Sequence, residues 1–345
     1  MTDCITVFGG TGFIGRHLAA LLLRSGATVR VAVRHPGRAK MAVEATNAPQ
    51  IVQADILDET SVGSAIVGAN AVINLVGILT ETATQTYRAI HVEGARRVAQ
   101  AARRHGVTRL IHLSALGASL ASLANSDRTK AEGEHAVREV FPQATIVRPS
   151  LTFGEDDHFF SRFAAMIRSS PVLPLIGGGT TKFQPVSVDD MTSGLAELLK
   201  RPDTAGKIYE FGGPQVYSFK ELLELLLSAL NRQRVLFPIP FALAEAQAGL
   251  LELLPNPPLT RDQVRLLKTD KVVSGMEPTL GIWVCSSAVE KFLQVLKDNT
   301  VNLPLNQIRY PWRSPTRNHR IRAIRRSASG QHGAQSSAGG HRISG

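Results

Sequence analysis

Short apolar runs alternate with helical patterns through the first 150 residues of the chain. The runs are rich in β-branched residues and almost continuously apolar, which predicts strands that are buried on both faces. The predicted strands are residues 5–9, 28–34, 50–55, 71–77, 109–114 and 144–149, and the predicted helices are residues 14–25, 60–67, 87–105 and 126–141. This alternation is typical of βαβ units, so we predict an α/β fold of the Rossmann type with a doubly wound parallel sheet.

The pattern changes at about residue 151, where Pro and Gly become frequent. Helical segments then follow at residues 189–200, 218–231, 241–254, 260–268 and 286–299. We therefore predict a Rossmann domain over residues 1–150 and a smaller, mixed C-terminal region over 151–312. The smaller region is expected to complete the cleft at the carboxyl ends of the strands, where open α/β sheets bind ligands.

The net charge of +11 is concentrated near the end of the chain. Eight of the 39 basic residues and none of the acidic ones lie in residues 301–345. Residues 313–345 have few large apolar side chains, so we predict a disordered Arg-rich tail. Two interpretations stay open: the tail is solvated without a partner, or it contacts an anionic surface, either phospholipid or an acidic protein. Nucleic acid is disfavoured because interleaved aromatic residues are missing.

Targeting signals and membrane spans are not predicted. The longest apolar runs, such as residues 71–79, are far shorter than the ~18 residues of a membrane-spanning helix. The N-terminus enters a strand at once, without the basic and apolar regions of a signal peptide. Cys4 and Cys285 make no disulfide framework, so a reducing compartment such as the cytoplasm is expected.

A glycine-rich turn follows the first predicted strand and leads into the first predicted helix. Its spacing is G-x-x-G-x-x-G. Such glycines allow a tight turn and a close approach of a pyrophosphate, while the helix N-terminus offers free N–H groups to the phosphates. The strand and helix on either side are the context that this motif requires, so we predict a dinucleotide site. The residues of the turn assigned to the nucleotide are Gly9, Thr11, Gly12, Phe13, Ile14 and Gly15.

The end of the second strand favours one form of the nucleotide. An NAD site usually has Asp or Glu here, but this chain has Arg34, with Arg38 close behind. Guanidinium groups suit a 2′-phosphate, so we predict NADP(H) rather than NAD(H); the competing interpretation is a pair of solvated surface cations. No metal is expected, because no Cys/His cluster has the spacing of metal ligands. Further residues assigned to the cofactor are Asp55, Ile56, Val76, Gly77, Ser114, Lys130 and Pro149.

Several motifs together resemble the extended and atypical short-chain dehydrogenase/reductases. They are "GGTGFIG" (9–15), "HVEGARRVAQAA" (91–102), "IHLSALGA" (111–118), "TKAEGE" (129–134) and "IVRPS" (146–150). The segment "LLPNPPLTRDQVRLL" (253–267) is more particular and resembles the NADPH-bearing accessory subunits of respiratory complex I and their bacterial relatives. This resemblance implies a nucleotide-binding domain, a small region near a membrane arm, and a tightly held NADPH without established turnover.

The catalytic tyrosine of the enzymatic members is missing. In those enzymes a tyrosine four residues before the lysine transfers a proton while hydride moves, and here Lys130 matches the lysine while Ser126 stands at the tyrosine position. No tyrosine lies between residues 88 and 208. A serine hydroxyl has a far higher pKa than a phenol and a shorter reach, and losing general acid–base help costs roughly 10²–10⁴ in rate.

Other proton donors are few, so no residue is assigned firmly as catalytic. Lys130 and Ser114 remain candidates. His158 is also a candidate, because the loop after the sixth strand should face the nicotinamide, and Asp156 and Asp157 precede it. Two further histidines are expected to be structural, one bonding the backbone and one packed in the core; these are His91 and His112, respectively.

Residues 236–258 are more apolar than a surface helix needs. The residues that fall on one stripe at helical spacing are Leu243, Ala246, Leu250, Leu251 and Leu254. The stripe is either a core face that closes the second region, or an exposed face that docks on a membrane protein or the bilayer interface.

Together with the missing tyrosine, the resemblance implies an NADPH-binding, non-catalytic accessory or assembly protein of respiratory complex I (NADH:ubiquinone oxidoreductase). It is expected on the inner face of a bacterial inner membrane, or on the matrix side of a mitochondrial one, with subunits of that complex and an anionic membrane surface as partners. One alternative is an active NADP-dependent reductase, dehydratase or epimerase for a quinone-related, isoprenoid or sugar-like substrate. Another is an NADPH sensor. Ser126 argues against an active enzyme.

Overall fold

The computed structural model of the chain describes residues 4–38, 48–154, 157–254 and 257–279, without the side chains of Arg38 and His158. The predictions that lie outside the described residues concern Asp156, Cys285, the helix at 286–299 and the Arg-rich tail at 313–345.

Strands and helices alternate along the first half of the chain and become shorter and more mixed in the second. The strands are β1 (Cys4–Phe8), β2 (Thr28–Val33), β3 (Gln50–Gln53), β4 (Ala71–Asn74), β5 (Arg109–Leu113), β6 (Thr145–Pro149), β7 (Thr152–Phe153), β8 (Val172–Ile176), β9 (Lys182–Phe183), β10 (Val186–Ser187), β11 (Ile208–Phe211), β12 (Tyr217–Ser218) and β13 (Val235–Ile239). The helices are α1 (Phe13–Arg24), α2 (Glu59–Ile66), α3 (Ala95–Arg104), α4 (Asn125–Val140), α5 (His158–Ser169), α6 (Val188–Lys200), α7 (Phe219–Ala229), α8 (Phe241–Leu251) and α9 (Arg261–Leu266).

Seven strands form one parallel sheet in the order β3-β2-β1-β4-β5-β6-β11. The chain runs outward from β1 to β3, then returns to the other side of β1 with β4. This reversal is the switch point at which doubly wound sheets bind ligands, so the predicted fold class is confirmed. The last strand of the sheet, β11, comes from beyond residue 150. The division at residues 150 and 312 stays a prediction.

Each face of the sheet is covered by its own hydrophobic core. On one face, Ile5 and Val7 of β1 pack with residues of α1 and α6. On the other face, Phe8 packs with residues of α2, α3 and α4. Successive side chains of a strand point to opposite faces, so a strand that is covered twice must be apolar at nearly every position. This requirement accounts for the unbroken apolar runs in the sequence.

The predicted single helix at 87–105 is wrong in one respect. Residues Arg88–Gly94 form a π-helix, which continues directly into α3. The π turn lies against α4, where a Cβ added to Gly133 would meet the carbonyl oxygen of His91 at 2.0 Å. The close packing of the two helices there requires a glycine in α4, and a wide turn at this point is a frequent feature of functional sites.

The second region is built from small elements around the carboxyl edge of the sheet. β8 and β13 pair in parallel, and so do β7 and β10, whereas β9 and β12 pair antiparallel. The sequence pattern missed α5, because Pro and Gly are frequent around it. In the part of the chain that the structure describes, no helix combines the length and hydropathy that a membrane span requires.

The apolar stripe of the second region is not a core face. α8 buries Ala244 and Ala248 against Val264 of α9. Three of the four leucines of the stripe lie outward, since Leu243, Leu250 and Leu254 are 59%, 72% and 50% exposed, whereas Leu251 is partly buried. The interpretation of the stripe as a closed core is therefore wrong, because the small alanines, rather than the leucines, allow α8 and α9 to approach each other.

Candidate nucleotide site

The glycine turn lies at the carboxyl end of β1, beside the switch point of the sheet. Gly9 has a φ of +77°, and the amide of Gly12 donates to its carbonyl oxygen at 3.0 Å. A Cβ on Gly15 would lie 2.2 Å from that same oxygen and 2.6 Å from the Cα of Gly10. The turn therefore requires glycine at position 15 for contact and at position 9 for conformation.

The first turn of α1 is open to an anion. Gly12 stands at the N-cap and has no side chain with which to cap the helix, and the first turn contains no acidic residue. Thr11 and Gly12 are exposed, so the positive end of the helix dipole is open to solvent. Phe13 and Ile14 are partly buried behind them. The six predicted residues of the turn thus form one cradle.

The ends of β2 and β3 lie next to the cradle in the sheet. Arg34 follows β2 and is exposed, and the main chain of Arg38 lies in the short 3₁₀ turn Pro36–Arg38. Asp55 is partly buried, and its carboxylate accepts from the amide of Leu57 at 2.9 Å. Ile56 is buried and would meet a Cβ on Gly94 at 2.8 Å. Both residues therefore have a structural role at the end of β3, and their contact with the adenine stays a prediction.

A second part of the site is a small pocket of about 60 Å³ between the ends of β4 and β5 and helix α4. It brings together four residues predicted for the cofactor, Val76, Gly77, Ser114 and Lys130. The other lining residues are Leu75, His91, His112 and Leu113. The predicted Pro149 is buried at the end of β6, where its carbonyl oxygen accepts from the amide of Leu116 at 3.0 Å.

Both pocket histidines are neutral imidazoles held by hydrogen bonds. Nε2 of His91 accepts from the amide of Ile78 at 3.3 Å, and its Nδ1 lies 3.0 Å from the Thr129 hydroxyl. That hydroxyl donates to the carbonyl oxygen of Asn125, so His91 carries its proton on Nδ1. Burial, and next the charge of Lys130, lower the pKa of His91 to about 3. The expectation that His91 bonds the backbone is confirmed.

His112 is held in the same manner on the other side of the pocket. Asn74 accepts from the amide of Val76 at 3.1 Å, so its NH₂ group faces Nδ1 of His112 at 3.3 Å. His112 is 4% exposed, and burial lowers its pKa to about 4. The expectation of a packed core histidine is therefore confirmed. A neutral imidazole with one nitrogen engaged in this way orients the pocket wall and carries no charge at neutral pH.

Ser114 and Lys130 are placed to hold a polar ligand. Ser114 is 4% exposed, and its Oγ has no hydrogen-bond partner among the residues that the structure describes. Burial lowers the pKa of Lys130, against the opposing effect of Asp127. A buried hydroxyl without a partner and a partly desolvated ammonium both gain from a ligand that supplies hydroxyl oxygens. The ribose of a nicotinamide nucleotide fits this donor set.

Ser126, one helical turn before Lys130, is 3% exposed. Its amide and that of Asn125 donate to the carboxylate of Asp262 at 3.1 and 2.5 Å. Tyr87 is the tyrosine nearest in sequence, and its hydroxyl donates to the carbonyl oxygen of Leu79 at 2.9 Å. Burial, and then Asp262 and Glu81, raise the pKa of Tyr87 well above its usual range. Neither side chain is a ready proton donor.

The loop after β6 contains a helix cap. Asp157 is 3% exposed and stands at the N-cap of α5, where its carboxylate accepts from the amide of Phe160 at 2.6 Å. Burial raises the pKa of Asp157 to about 6, although its backbone hydrogen bonds oppose the shift. His158 is the first residue of α5. A catalytic role for His158 stays a prediction.

Two residues of the site were missed by sequence reasoning, Asp262 and Lys271. Asp262 lies in the segment "PPLTRDQV", which was read for its resemblance alone. Lys271 Nζ pairs with the Asp127 carboxylate at 2.5 Å, and both side chains are largely buried. The sequence signal for Asp262 was the start of α9, where Thr260 and Gln263 form a capping box. The sequence contains no comparable signal for Lys271.

The chain is similar to known proteins over most of this site. The family described as "NAD dependent epimerase/dehydratase family" matches residues 5–212. NADH dehydrogenase (ubiquinone) 1 alpha subcomplex subunit 9, a mitochondrial protein of Arabidopsis thaliana, is 36% identical over 284 residues, which cover 78% of this chain and 70% of that protein. A ceramide reductase of Caulobacter vibrioides is 32% identical over 202 residues, which cover 57% of this chain and 61% of that protein.

Solved structures extend the likeness to the fold. The UDP-glucuronic acid 4-epimerase of Bacillus cereus, solved with UDP-glucuronic acid and NAD, matches with a TM-score of 0.64 at 19% identity. The match covers 86% of this chain and 98% of the epimerase. At that identity the likeness concerns the arrangement of strands and helices only.

Proposed function

Since the chain belongs to the NAD-dependent epimerase/dehydratase family, and within it is related to subunit 9 of the NADH dehydrogenase (ubiquinone) 1 alpha subcomplex, we propose a role as an accessory subunit. The chain is proposed to serve NADH:ubiquinone oxidoreductase as an accessory or assembly subunit that holds NADPH without turning it over. Two observations support this proposal: the glycine turn leads into an uncapped helix start, and the residue four positions before Lys130 is a buried serine.

In this proposal the cofactor is held at three places. The amides of the glycine turn and of α1 bind the pyrophosphate, and Arg34 binds the 2′-phosphate. Lys130 and Ser114 bind the ribose hydroxyls at the nicotinamide end. NADPH supplies a hydride when it is bound, but the residues around it are arranged to hold the nucleotide rather than to move a proton.

The groups near Lys130 are poorly suited to proton transfer, which supports the proposed absence of turnover. Ser126 is too short to take the place of a phenol, and its hydroxyl is a far weaker acid. His91 and His112 each use a ring nitrogen to hold the pocket walls. The hydroxyl of Tyr87 is bonded to a carbonyl oxygen and its pKa is raised. A proton transfer at the nicotinamide would therefore lack its usual donor.

The exposed leucines of α8 are proposed as the contact with the rest of the complex at the membrane surface. Leu243 and Leu250 of α8 and Leu253, two residues after its end, are 59%, 72% and 82% exposed. Val235 and Phe237 of β13 add further exposed apolar area at 62% and 56%. Apolar side chains gathered on one surface element are typical of an interaction site. We place the protein on the inner face of a bacterial inner membrane, or on its matrix-side equivalent.

Nucleotide binding is the first test. The purified chain is expected to bind NADPH more tightly than NADH, and Arg34→Ala is expected to weaken NADPH roughly 10- to 100-fold while NADH binding changes little, because charged hydrogen bonds contribute about 1.5–3 kcal/mol. Arg104→Ala, which removes a surface ion pair with Glu59, is the matched control. If Arg34→Ala lost affinity for NADPH and NADH equally, Arg34 would not be the residue that binds the 2′-phosphate.

Turnover is the second test, and it separates the proposal from an active reductase. The similarity to a ceramide reductase favours that second candidate, a reductase of a carbonyl on an apolar substrate. NADPH fluorescence is followed after adding quinones, long-chain ketones and ketosphingolipids. No consumption beyond a single turnover is expected, and sustained oxidation of NADPH would establish the reductase instead.

Docking is the third test. Flotation with anionic liposomes at low salt, and purification from native membranes in mild detergent, measure contact with lipid and with the complex. Leu250→Ser together with Leu253→Ser is expected to reduce both. Leu120→Ser together with Leu123→Ser is the control, because those leucines are 55% and 71% exposed but lie in the loop between β5 and α4. If the two double variants behave alike, α8 is not the contact.

A further inference from the structure

The first turn of α4 is held by the C-terminal region rather than by its own residues. Ala124 stands at the N-cap and has no side-chain acceptor to offer. The two oxygens of Asp262 accept from the amides of Asn125 and Ser126 instead. The carboxylate is supplied by α9, 137 residues away in sequence from Asn125. It therefore binds two distant segments together as well as capping a helix.

A second contact holds the same turn. Lys271 Nζ pairs with Asp127 at 2.5 Å, and the carbonyl oxygen of Lys271 accepts from the Ser150 hydroxyl at 2.6 Å. Its amide donates to the carbonyl oxygen of Lys182 at 2.7 Å. A Cβ on Gly117 would lie 2.4 Å from Lys271 Nζ, so the loop after β5 closes tightly over the ion pair.

The same turn of α4 supports the nicotinamide end of the site. Thr129 donates to the carbonyl oxygen of Asn125 and contacts Nδ1 of His91. Lys130 follows immediately and lines the pocket. A shift of this turn would move the ammonium of Lys130 and loosen His91 together. The position of two pocket groups therefore depends on the contacts that Asp262 makes.

Asp262 is also attached to the exposed leucines, because α8 and α9 form one hairpin. Glu252, at the C-cap of α8, pairs with Arg261 at 2.7 Å, and Glu245 of α8 pairs with Lys268 at 2.5 Å. Ala244, Ala248 and Val264 are buried between the two helices. Gln263 of α9 also donates to the Thr80 hydroxyl at 3.3 Å, in the loop that follows Gly77.

We infer that Asp262 is a positioning residue that couples the nucleotide pocket to the α8–α9 hairpin. NADPH bound at Lys130 fixes the first turn of α4, and the fixed turn holds α9 and hence the leucine face of α8. By linkage, a partner that binds the hairpin tightens the nucleotide by the same factor, and a factor of roughly 5–150 is typical of such coupling. This inference rests on the proposed function, because it requires that the chain binds NADPH.

Hydrogen exchange of the full chain with and without saturating NADPH tests the coupling. Amides in residues 241–254 and 257–268 are expected to exchange at least about fivefold more slowly with NADPH, which is the lower end of typical coupling. Asp262→Ala is expected to abolish that protection and to raise the Kd for NADPH about tenfold. Asp262→Asn, which keeps one acceptor oxygen, is expected to give intermediate values, and it serves in place of Asp262→Ala if that variant does not fold.

Arg104→Ala is the control, because it removes a surface ion pair with Glu59 and touches neither α4 nor the hairpin. It is expected to keep both the protection and the affinity. Protection of the glycine turn by NADPH without protection of α8 and α9 would overturn the coupling and leave the proposed function standing. So would an unchanged Kd in Asp262→Ala. Failure of NADPH to protect the glycine turn itself would overturn the proposed function and the coupling with it.

Discussion

The first turns of α1 and α4 both lie at the carboxyl edge of the sheet. They differ in whether a side chain accepts hydrogen bonds from their N-terminal amides. At α1, Gly12 leaves the turn open, and no acidic residue lies in it. At α4, Asp262 accepts from two amides and Asp127 of the turn is paired with Lys271. One helix start thus remains free for a ligand, whereas the other is filled by the chain itself.

Under the proposed function, the first helix start binds the cofactor and the second has a structural role. A carboxylate at a helix N-terminus contributes about 0.3–1 kcal/mol from the helix dipole, and its hydrogen bonds add to that. At α1 no acidic side chain of the first turn supplies this stabilisation, and in the proposed function the phosphates of NADPH supply it. At α4 it joins the C-terminal region to the pocket. Ser126 lies within that joint.

The largest effect is expected at the open turn, from Gly15→Ala. The new methyl group would lie 2.2 Å from the carbonyl oxygen of Gly9, so the turn and α1 must separate. Overpacking of this kind costs about 1–3 kcal/mol, and we expect at least about 100-fold weaker binding of NADPH because the amides lose their alignment. Calorimetric titration measures the affinity, and thermal unfolding measures the stability.

Gly63→Ala is the matched control for that prediction. Gly63 lies inside α2, and a Cβ there would be 3.8 Å from its nearest neighbour, the Nε2 atom of His105. Replacing a glycine within a helix by alanine stabilises by roughly 0.5–1 kcal/mol. The control should therefore keep its affinity for NADPH and unfold at a slightly higher temperature. If Gly15→Ala binds as well as Gly63→Ala, the cradle is not the nucleotide site.

The open turn could be predicted from the sequence, but the closed one could not. The glycine motif is local: its residues lie within one strand–helix connection, and each has a physical role there. The cap of α4 depends on Asp262, 136 residues after Ser126, so only tertiary structure shows that the two meet. The capping box at Thr260 predicts the start of a helix but not the contact that Asp262 in its first turn will make.

The same reasoning applies to the helices. Periodicity predicted α8 but could not tell which face is buried, and the buried residues are Ala244 and Ala248 rather than the leucines. The π-helix at Arg88–Gly94 was read as ordinary helix. It packs closely against Gly133, which lies in another helix and leaves no mark on the local sequence.

An intermediate effect is expected at the closed turn, from Ser126→Tyr, which restores the residue that the enzymatic relatives carry. The serine is 3% exposed and its backbone is bound by Asp262, so a phenol must displace its neighbours. We expect a loss of about 1–3 kcal/mol in the free energy of unfolding and no sustained oxidation of NADPH. Urea unfolding and NADPH fluorescence measure the two results.

Ser126→Ala is the control for the closed turn and is expected to change the free energy of unfolding by less than about 1 kcal/mol, because it creates no overpacking. The comparison between the two helix starts would be broken if Ser126→Tyr were as stable as the parent protein and oxidised NADPH with a carbonyl substrate. That result would mean that the turn had kept room for the phenol.

The smallest effect concerns a third helix start, that of α5, which its own Asp157 caps. Burial raises the pKa of this carboxyl from 3.8 to about 6, so its protonated form is favoured in the folded protein. The contribution of the protonated Asp157 carboxyl to the free energy of unfolding is fully present below pH 3.8 and is lost as the pH rises through 6. Asp157→Asn keeps an oxygen to accept from Phe160 but does not titrate. We expect it to be more stable than the parent protein by on the order of 1 kcal/mol at pH 8, with the difference vanishing towards pH 4.

The buried histidines work in the opposite direction, because their lowered pKa values favour the neutral form in the folded state. They are common to both proteins, so the difference between the two urea titrations isolates Asp157. A difference that does not change between pH 4 and pH 8 would show that Asp157 caps α5 as an ordinary carboxylate, satisfied within its own helix in the way that Asp262 satisfies α4 from a distance.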